Sequence, residues 1–513
     1  MRTAPMRLPF AVGLTALSGG LYGLCFPTAS VQLLAWVVLV PFFVALRGVR
    51  LGVALGLGWV WTITAAYAVG DWFPSSVAAY YRQPLAIGIA FFFGVSSLMA
   101  APYYMAFAAW YRAIGRGSGP WLSLLVAAAW TAAELGRSRL FTGNPWALLG
   151  YSQVGVDALV QIADVTGVYG VTFMLAVVNA ALAETWLAGA RSRRRASMGL
   201  VLAGAVVAIV LGYGRLRMAA LAGSRGTPIE VALIQGNLDL GTQWREEFYG
   251  RNLDVYLRLT QAALEAHRPA LVVWPENSLT FFLETEPHYR AAIARVLQPS
   301  SAQLLAGGPR AVGRAHPLYY NSMFLLSPDG TILGHYDKQR LVPFAEYFPI
   351  RAIDVLRRRF GRIRELTPGR PSPPLPTVAG LAGITICNEA MFPEVAAERV
   401  REGAVFFVDP AHDTWLTPKF SAQQFDIVRL RTIEQRRFLI RASTSGPSAI
   451  VDPLGRLRAR SEFLARAAVV GTIEARDDVT LYGRLGDVFA SLCALAALIA
   501  WGTRMFPLRR HEV

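Results

Sequence analysis

The stretch VAGLAGITICNEA, residues 378–390, is a short apolar run with β-branched residues that ends on a thiol and a carboxylate. It is one of ten such runs after residue 229, and turn signals such as SPDG (327–330) separate several of them. Between the runs, residues 244–267 and 420–437 have the length and pattern of helices. Alternating strands and helices predict an α/β sandwich with buried sheets.

The rest of the chain is dominated by apolar blocks. Of 513 residues, 54% are hydrophobic and the mean hydropathy is positive, which is unusual for a soluble protein. Eight blocks come near or exceed the ~20 residues that cross a bilayer. They are residues 9–26, 31–46, 51–70, 85–111, 120–136, 153–187, 198–214 and 484–503. We therefore expect a membrane bundle of about eight transmembrane helices, with a membrane domain at 1–215, a polar domain at 216–483, and a last helix with its tail at 484–513.

Arginine placement predicts the orientation, because short cytoplasmic loops collect positive charge. Five clusters fall on one side if all eight blocks cross the membrane. These are Arg2 and Arg7, Arg47 and Arg50, Arg112 and Arg116, Arg191 with Arg193 to Arg195, and Arg504 with Arg509 and Arg510. The opposite loops are less dense in arginine, with Arg82, Arg137 and Arg139. Both termini are therefore expected in the cytoplasm, and the polar domain is expected to face outward.

The formal net charge of +16 has the same explanation. Much of it lies in the cytoplasmic loops and terminus, where it favours contact with anionic lipid headgroups. The sequence has no helix-turn-helix pattern, zinc-ligand spacing or glycine-rich phosphate loop. We expect membrane lipids, and no nucleic acid, as partners.

Three of the apolar runs end on groups that can take part in catalysis. LVVWPENS leads to Glu276, TILGHYDK leads to Lys338, and GLAGITICNE leads to Cys387. Strand ends are where α/β folds gather ligand-contacting residues. A carboxylate, an amine and a thiol are the parts of nucleophilic acyl chemistry, in which the carboxylate takes the thiol proton, the thiolate attacks a carbonyl, and the ammonium stabilises the oxyanion.

Residue usage singles out two members of this set. Lys338 is one of two lysines in a chain with 48 arginines, and an ammonium is a compact charge whose pKa burial can shift. Cys25 and Cys493 lie inside predicted spans, so Cys387 is the one cysteine of the outward domain. Without a partner for a disulfide, it is either a core thiol or a reactive one.

These residues carry a resemblance. Glu276 in WPEN, Lys338 in YDKQRLVPFAEYFP and Cys387 in ICNEAMFPE resemble the Glu-Lys-Cys triad of the carbon–nitrogen hydrolase (nitrilase) superfamily. Within it, nearly the whole chain resembles the apolipoprotein N-acyltransferase family, bacterial membrane enzymes that complete lipoprotein maturation. Further matching stretches are LLAWVVLVPFFVAL (33–46), ELGRSRLFTGNPWALLGYSQ (134–153) and VALIQGNLDLGTQW (231–244).

The resemblance implies a nitrilase-like αββα domain in the periplasm, attached to the inner membrane, and a ping-pong reaction. Cys387 would take an acyl chain from a phospholipid as a thioester, and the α-amine of a diacylglyceryl-cysteine on an apolipoprotein would then receive it. Glu276 would act as base and acid, and Lys338 would serve the oxyanion. No metal or organic cofactor is implied.

The same motif matching implies four supporting residues. Glu346 would orient Lys338 and Cys387, and Glu389 would support the pocket. Trp244 and Asn321 match pocket positions of the family.

The chain departs from the family pattern beside the site. Asn388 stands where the family usually has Tyr, and His412-Asp413-Thr414-Trp415-Leu416 replaces the family's Asn-Asp-x-Trp-Phe. These changes leave the choice of donor or acceptor open, as in a paralogue with an altered substrate. Two other readings are a tethered amidase or nitrilase that uses water, and a membrane scaffold descended from an enzyme.

Several other charged residues can be interpreted as either structural or functional. Glu134, near the end of the fifth span, is either functional or part of a helix-end ion pair with Arg137. For Asp164 we expect a structural role. Arg357 to Arg359 form either a solvated face or a headgroup contact.

Overall fold

A computed structural model describes residues 6–114, 121–141, 143–189, 193–222, 226–238, 246–313, 315–347, 365–414 and 417–505. The chain divides into two compact units, one made of Met1–Ala222 with Arg484–Val513 and the other of Gly223–Gly483. The domain boundaries drawn from the sequence, at 215/216 and 483/484, stay a prediction.

Among its described residues, the regular secondary structure of the first unit is all helical. In the part of the chain that the structure describes, the helices are α1 Leu8–Leu24, α2 Val40–Ala45, α3 Leu51–Val69, α4 Phe73–Tyr81, α5 Leu85–Met99, α6 Ala101–Ile114, α7 Leu122–Arg139, α8 Asp157–Val160, α9 Ala163–Thr166, α10 Val168–Leu187, α11 Arg193–Ala222, α12 Glu246–Ala266, α13 Pro287–Leu297, α14 Pro393–Arg401, α15 Pro418–Gln435, α16 Leu481–Leu485 and α17 Val488–Met505. Short 3-10 helices occupy Gln32–Trp36, Leu149–Gln153 and Cys387–Met391.

Fewer helices than predicted are long enough to cross a membrane. Among the described residues, three qualify by length and composition, Leu51–Val69, Val168–Leu187 and Arg194–Ala222, and a fourth qualifies if α5 and α6, bent by 47°, form one span. The count of eight spans is therefore not confirmed. Apolar blocks do not register helix breaks such as the one before Pro102, which has no N–H to donate to the preceding turn.

Two acidic residues link helices within this unit. Glu134 on α7 is fully buried and accepts hydrogen bonds from Trp130 Nε1 at 3.2 Å, the Leu149 amide at 2.8 Å and Thr172 Oγ1 at 2.8 Å. All three donors are uncharged, so the carboxylate ties α7 to α10 by hydrogen bonds. Asp164 on α9 accepts from the Tyr213 hydroxyl at 2.6 Å and forms an ion pair with Arg217 Nε at 2.7 Å, both on α11, in agreement with the structural role expected of it.

The second unit contains two six-stranded sheets. Its strands are β1 Pro228–Gln235, β2 Leu271–Val273, β3 Gln303–Val312, β4 Leu318–Leu326, β5 Ile332–Asp337, β6 Leu375–Thr377, β7 Gly380–Ile384, β8 Phe406–Ala411, β9 Leu439–Ser443, β10 Ala449–Val451, β11 Leu457–Arg460 and β12 Ala467–Glu474. The orders are β12-β1-β2-β3-β4-β5 and β11-β10-β9-β8-β7-β6. The central strands of each sheet, β1 to β3 and β7 to β9, are parallel.

The layers follow from the buried faces. One apolar cluster joins residues of both sheets, such as Val231 and Val273 with Ile384 and Val408, and so fills the space between them. Helices α12 and α13 pack on the outer face of the first sheet, and α14 and α15 on that of the second. The predicted α/β sandwich is confirmed as a four-layer αββα arrangement.

Candidate active site

The three strand-end residues meet in one buried place. Glu276 follows β2, Lys338 follows β5 and Cys387 follows β7. Strand β5 runs in the direction of β3, because both are antiparallel to β4, so its carboxyl end reaches the same edge as that of β2. Lys338 Nζ lies 3.3 Å from Glu276 Oε1, and both residues exert charge effects on the Cys387 thiol.

Lys338 is held between two carboxylates. Its Nζ donates to Glu346 Oε1 at 2.8 Å and to Glu276 Oε1 at 3.3 Å, and the side chain is 1% exposed. Burial lowers the pKa of Lys338, but the two carboxylates and Cys387 raise it by a larger amount, so the net shift of the pKa is upward. The group is therefore an ammonium with three donors, of which one has no partner among the described residues.

Asn321 on β4 connects the same two carboxylates. Its Nδ2 donates to Glu276 Oε1 at 2.6 Å and to Glu346 Oε1 at 3.2 Å, while Glu346 Oε2 accepts from the Val342 amide at 2.7 Å. Both bonds to Glu276 reach Oε1, so Oε2 has no hydrogen-bond partner among the described residues. Burial raises the pKa of Glu276, but Lys338, His412 and Asn321 lower it more, and the net shift is downward.

Glu389 joins the turn at Cys387 to the loop that contains Lys338. It is fully buried and accepts from the Ile386 amide at 2.8 Å, from the Gln339 and Arg340 amides at 2.7 and 2.9 Å, and from the Tyr336 hydroxyl. These donors precede Cys387 and flank Lys338 in sequence. The carboxylate therefore fixes the distance between the two loops.

Cys387 lies in a tight turn with a backbone φ of +55°. A residue other than glycine keeps this backbone conformation only when the surrounding structure holds it there. Burial and Glu276 raise the pKa of the thiol, and Lys338 and Arg441 lower it less, so the net shift is strongly upward. At neutral pH the resting group is a neutral thiol beside an ionised Glu276 and a charged Lys338.

Three residues beside the sulfur were missed in the sequence. Gln424 Nε2 on α15 lies 3.8 Å from Cys387 Sγ, and its Oε1 accepts from Arg441 Nη2 at 2.8 Å. Arg441 on β9 forms a buried ion pair with Asp409 on β8. A signal was present in FLIRAST and AVFFVDPAHD, since a charge inside a buried strand requires a partner.

The departures from the family pattern at His412 and Asn388, and Asp413 beside them, have different surroundings. Asp413 is buried and accepts from Ser443 Oγ at 2.7 Å and Thr444 Oγ1 at 3.1 Å, which makes it a support for the turn after β9. His412 contacts Thr414 Oγ1 at 2.9 Å and exerts a charge effect on Glu276. Asn388 has a buried Oδ1 without a hydrogen-bond partner within the described ranges.

Some predicted residues cannot be placed. Trp244, Arg357 to Arg359, Trp415 and Leu416 lie outside the described residues. The pocket position expected of Trp244, and the solvated face or headgroup contact expected of the three arginines, remain predictions.

Sequence comparisons agree with this division of the chain. Residues 18–181 match the apolipoprotein N-acyltransferase N-terminal domain, and residues 230–477 match the carbon–nitrogen hydrolase family. The apolipoprotein N-acyltransferase of Geobacter metallireducens is 32% identical over 95% of this chain and 94% of its own length. The chain belongs to the apolipoprotein N-acyltransferase family. The apolipoprotein N-acyltransferase of Methylococcus capsulatus is 30% identical over 97% of both chains.

Solved structures of an amidase and a carbon–nitrogen hydrolase are also similar to about half of the chain. An amidase from Nesterenkonia is 19% identical, covering 53% of this chain and 97% of that one, with a TM-score of 0.39. A carbon–nitrogen hydrolase from Helicobacter pylori is 18% identical, covering 56% and 95%, with a TM-score of 0.38. The apolipoprotein N-acyltransferase assignment rests on the sequence matches, and the α/β part of the chain is the nitrilase-like domain expected of that family.

Proposed function

We propose that the chain transfers an acyl chain from a phospholipid to the α-amino group of the N-terminal diacylglyceryl-cysteine of apolipoproteins, in lipoprotein maturation. The observation that carries the proposal is the buried contact of Lys338 with Glu276 beside Cys387, in a chain whose relatives are named apolipoprotein N-acyltransferases. A thiol, a base and a fixed cation together suit acyl transfer through a thioester.

In the first step, Cys387 Sγ attacks the ester carbonyl of the phospholipid as its proton passes to Glu276. Glu276 Oε2 is the suitable oxygen, because Oε1 already accepts from Lys338 and Asn321. The carbonyl oxygen becomes an oxyanion, which the third N–H of Lys338 stabilises. The ester C–O bond then breaks, Glu276 returns the proton to the leaving oxygen, and a lysophospholipid departs from the acyl-Cys387 thioester.

In the second step, the α-amine of the acceptor attacks the thioester carbonyl. Glu276 takes a proton from the amine, the C–S bond breaks, and the sulfur of Cys387 recovers its proton from Glu276 while the amide product leaves. The two steps share one base and one cation, so donor and acceptor can use the same site in turn. This is the ping-pong order.

The electrostatics favour concerted proton removal over a preformed thiolate. The pKa of Cys387 is raised by burial and by Glu276, whereas the pKa of Glu276 is lowered by Lys338 and its other partners, so the base is ionised and the nucleophile is not. Lys338 Nζ also forms an ion pair with Glu346, so its positive charge is divided between two carboxylates and offsets the negative charge of Glu276 only in part. Asn321, Glu346 and Glu389 are positioning residues in this scheme.

The membrane arrangement is part of the proposal. We infer eight crossings of a bacterial inner membrane, with both termini in the cytoplasm and the nitrilase-like domain in the periplasm, where diacylglyceryl lipoproteins and the outer lipid leaflet are accessible. The apolar helices Leu8–Leu24, Gln32–Ala45 and Val488–Arg504, although short, support additional crossings beside the longer ones. Membrane-impermeant maleimide added to intact spheroplasts is expected to label Thr285→Cys and not Ser197→Cys in a background without exposed thiols; the reverse pattern would contradict this orientation.

The reaction is tested by incubating the purified chain with phospholipid and a diacylglyceryl-cysteine peptide, and by following both possible products. An N-acylated peptide with one equivalent of lysophospholipid is expected. Free fatty acid at the same rate with and without peptide would instead identify a tethered hydrolase, and the absence of both products would favour the scaffold reading.

A further inference from the structure

A line of buried polar side chains lies beside the nucleophile, and the mechanism above does not use it. It begins with Asp409 on β8, which pairs with Arg441 at the facing position of β9. Arg441 Nη2 donates to Gln424 Oε1 at 2.8 Å, and Gln424 Nε2 lies 3.8 Å from Cys387 Sγ. The first three of these residues are fully buried, so water does not compete for their hydrogen bonds.

The line has a direction. A carboxamide has an acceptor oxygen on one side and a donor NH2 on the other, whereas a guanidinium has only donors. The bond from Arg441 therefore requires Gln424 Oε1 to face the arginine, which turns Nε2 toward the sulfur. Asp409 holds Arg441 in place through the ion pair. The identity of the atom that faces Cys387 is thus determined two residues away from it.

We propose that Gln424 donates a hydrogen bond to the Cys387 sulfur whenever that sulfur becomes anionic, and that Arg441 and Asp409 are positioning residues for this donor. The inference rests on the proposed function, since it takes Cys387 to be the nucleophile. Sulfur gains negative charge as Glu276 removes its proton, and again as the thioester C–S bond breaks. Because an anion accepts hydrogen bonds more strongly than a thiol or thioester, the donor stabilises these two states relative to the resting ones.

The contribution of Gln424 can be separated from the charges around the sulfur. Burial and Glu276 raise the pKa of Cys387, Lys338 and Arg441 lower it, and Asp409 raises it. Gln424 is uncharged, so removing its N–H changes a bond and leaves every charge in place. Burial also raises the pKa of Asp409 to about 6, against the effect of Arg441, so measurements above pH 7 keep the ion pair intact.

The test is the pH dependence of Cys387 alkylation by iodoacetamide, measured by peptide mass spectrometry on the full chain. Cys25→Ala and Cys493→Ala, both at buried positions, leave Cys387 as the single thiol. Gln424→Met keeps the side-chain length and removes the donor. Losing a hydrogen bond to a charged group is expected to raise the thiol pKa by about one to two units, and to slow alkylation below that pKa about ten- to a hundredfold.

Two further variants separate bonding from packing. Gln424→Glu keeps the shape and the contact with Arg441 but places a carboxylate beside the sulfur, and a shift at least as large is expected. The matched control is Gln435→Met, a buried carboxamide about 16 Å further along α15, for which the wild-type profile is expected. If Gln424→Met does not fold, Gln424→Asn withdraws the N–H by one carbon and is expected to shift the profile in the same direction.

Wild-type profiles for the Gln424 variants would overturn the inference, as would an equal shift in Gln435→Met. Alkylation requires neither lipid nor acceptor, so this result is independent of acyl transfer. Shifted profiles in a chain that transfers no acyl group would refute the proposed function alone. Acyl transfer at wild-type rate with unshifted profiles would refute the inference alone.

Discussion

Replacing Lys338 by Arg keeps the positive charge and is nevertheless expected to slow acylation of Cys387 about a hundredfold. Arginine is the usual cation of this chain, which has 48 arginines and one lysine besides Lys338. The proposed role requires a compact ammonium, because the Lys338 side chain is 1% exposed and its Nζ contacts carboxylate oxygens at 2.8 Å on Glu346 and 3.3 Å on Glu276. A planar guanidinium cannot occupy the same point.

The magnitude follows from the packing. Arginine carries two more heavy atoms than lysine, and forcing additional atoms into a filled site costs about 1–3 kcal/mol of folding free energy. If the cation relieves this strain by moving about 1 Å, the misplacement costs about 10²-fold in rate, or about 2.7 kcal/mol of activation free energy. We therefore expect both a lower unfolding temperature and a slower reaction.

The assay is single-turnover acylation of Cys387, followed by intact mass spectrometry, together with thermal unfolding. Lys419→Arg on α15 is the matched control, since Lys419 is the other lysine and is only half-buried. Its expected effect is within about 0.5 kcal/mol on stability, with an unchanged rate. Acylation of Lys338→Arg at the wild-type rate would show that any cation suffices and would refute the role assigned to the ammonium.

The carboxylates Glu276 and Glu389 and the ion pair between Arg139 and Asp487 give three further expected results. The pKa of Glu276 in the folded chain is lowered below 4.5, so the ionised carboxylate stabilises the fold above about pH 4.5, and this stabilisation is lost as the pH falls through the folded pKa. In urea unfolding, acid is therefore expected to lower the stability of the wild type more than that of Glu276→Gln. Equal losses of stability in the two proteins would contradict this. Glu389→Gln places an amide donor against the Ile386 N–H and is expected to cost about 3 kcal/mol in thermal unfolding, a prediction that an unchanged midpoint would refute. Arg139→Ala breaks a partly exposed 2.5 Å pair and is expected to cost only about 1 kcal/mol by the same measurement, so a cost of several kcal/mol would contradict it.

The α/β domain could be predicted because its strands are local features of the sequence. LVVW and GLAGI are short apolar runs, and they form β2 and β7 where the pattern places them. The order of the strands could not be predicted, because β12 pairs with β1 across more than 230 residues of chain. Such a pairing is decided by burial of both strands in one core, not by either sequence alone.

For the membrane segments, the sequence predicts the positions of the apolar stretches but not the lengths of their helices. Hydropathy predicts where apolar segments lie, and each predicted block contains a helix. It does not predict where those helices break. Pro41 and Pro102 stand within the first two residues of α2 and α6, positions that begin a helix and interrupt an apolar block that appears continuous. Within the described ranges, three or four helices therefore reach spanning length where eight were expected.

At the site, the three residues found from the apolar runs alone are those that follow the end of a strand. Glu276, Lys338 and Cys387 each follow an apolar run, and this placement made them visible. Gln424 lies in a helix, where a carboxamide has the pattern of a solvated residue, and its contact with Cys387 depends on how α15 packs against the second sheet. Tertiary contacts of this kind leave no local signal.

Acyl transfer through a Cys387 thioester is tested most directly by mass spectrometry of the Cys387 peptide after incubation of the chain with phospholipid, before and after a diacylglyceryl-cysteine peptide is added. We expect one acyl chain on Cys387 that moves to the amine of the added peptide, and no adduct in Cys387→Ser. An adduct that is lost to water equally fast without the peptide, or N-acylation of the peptide by Cys387→Ser, would contradict it.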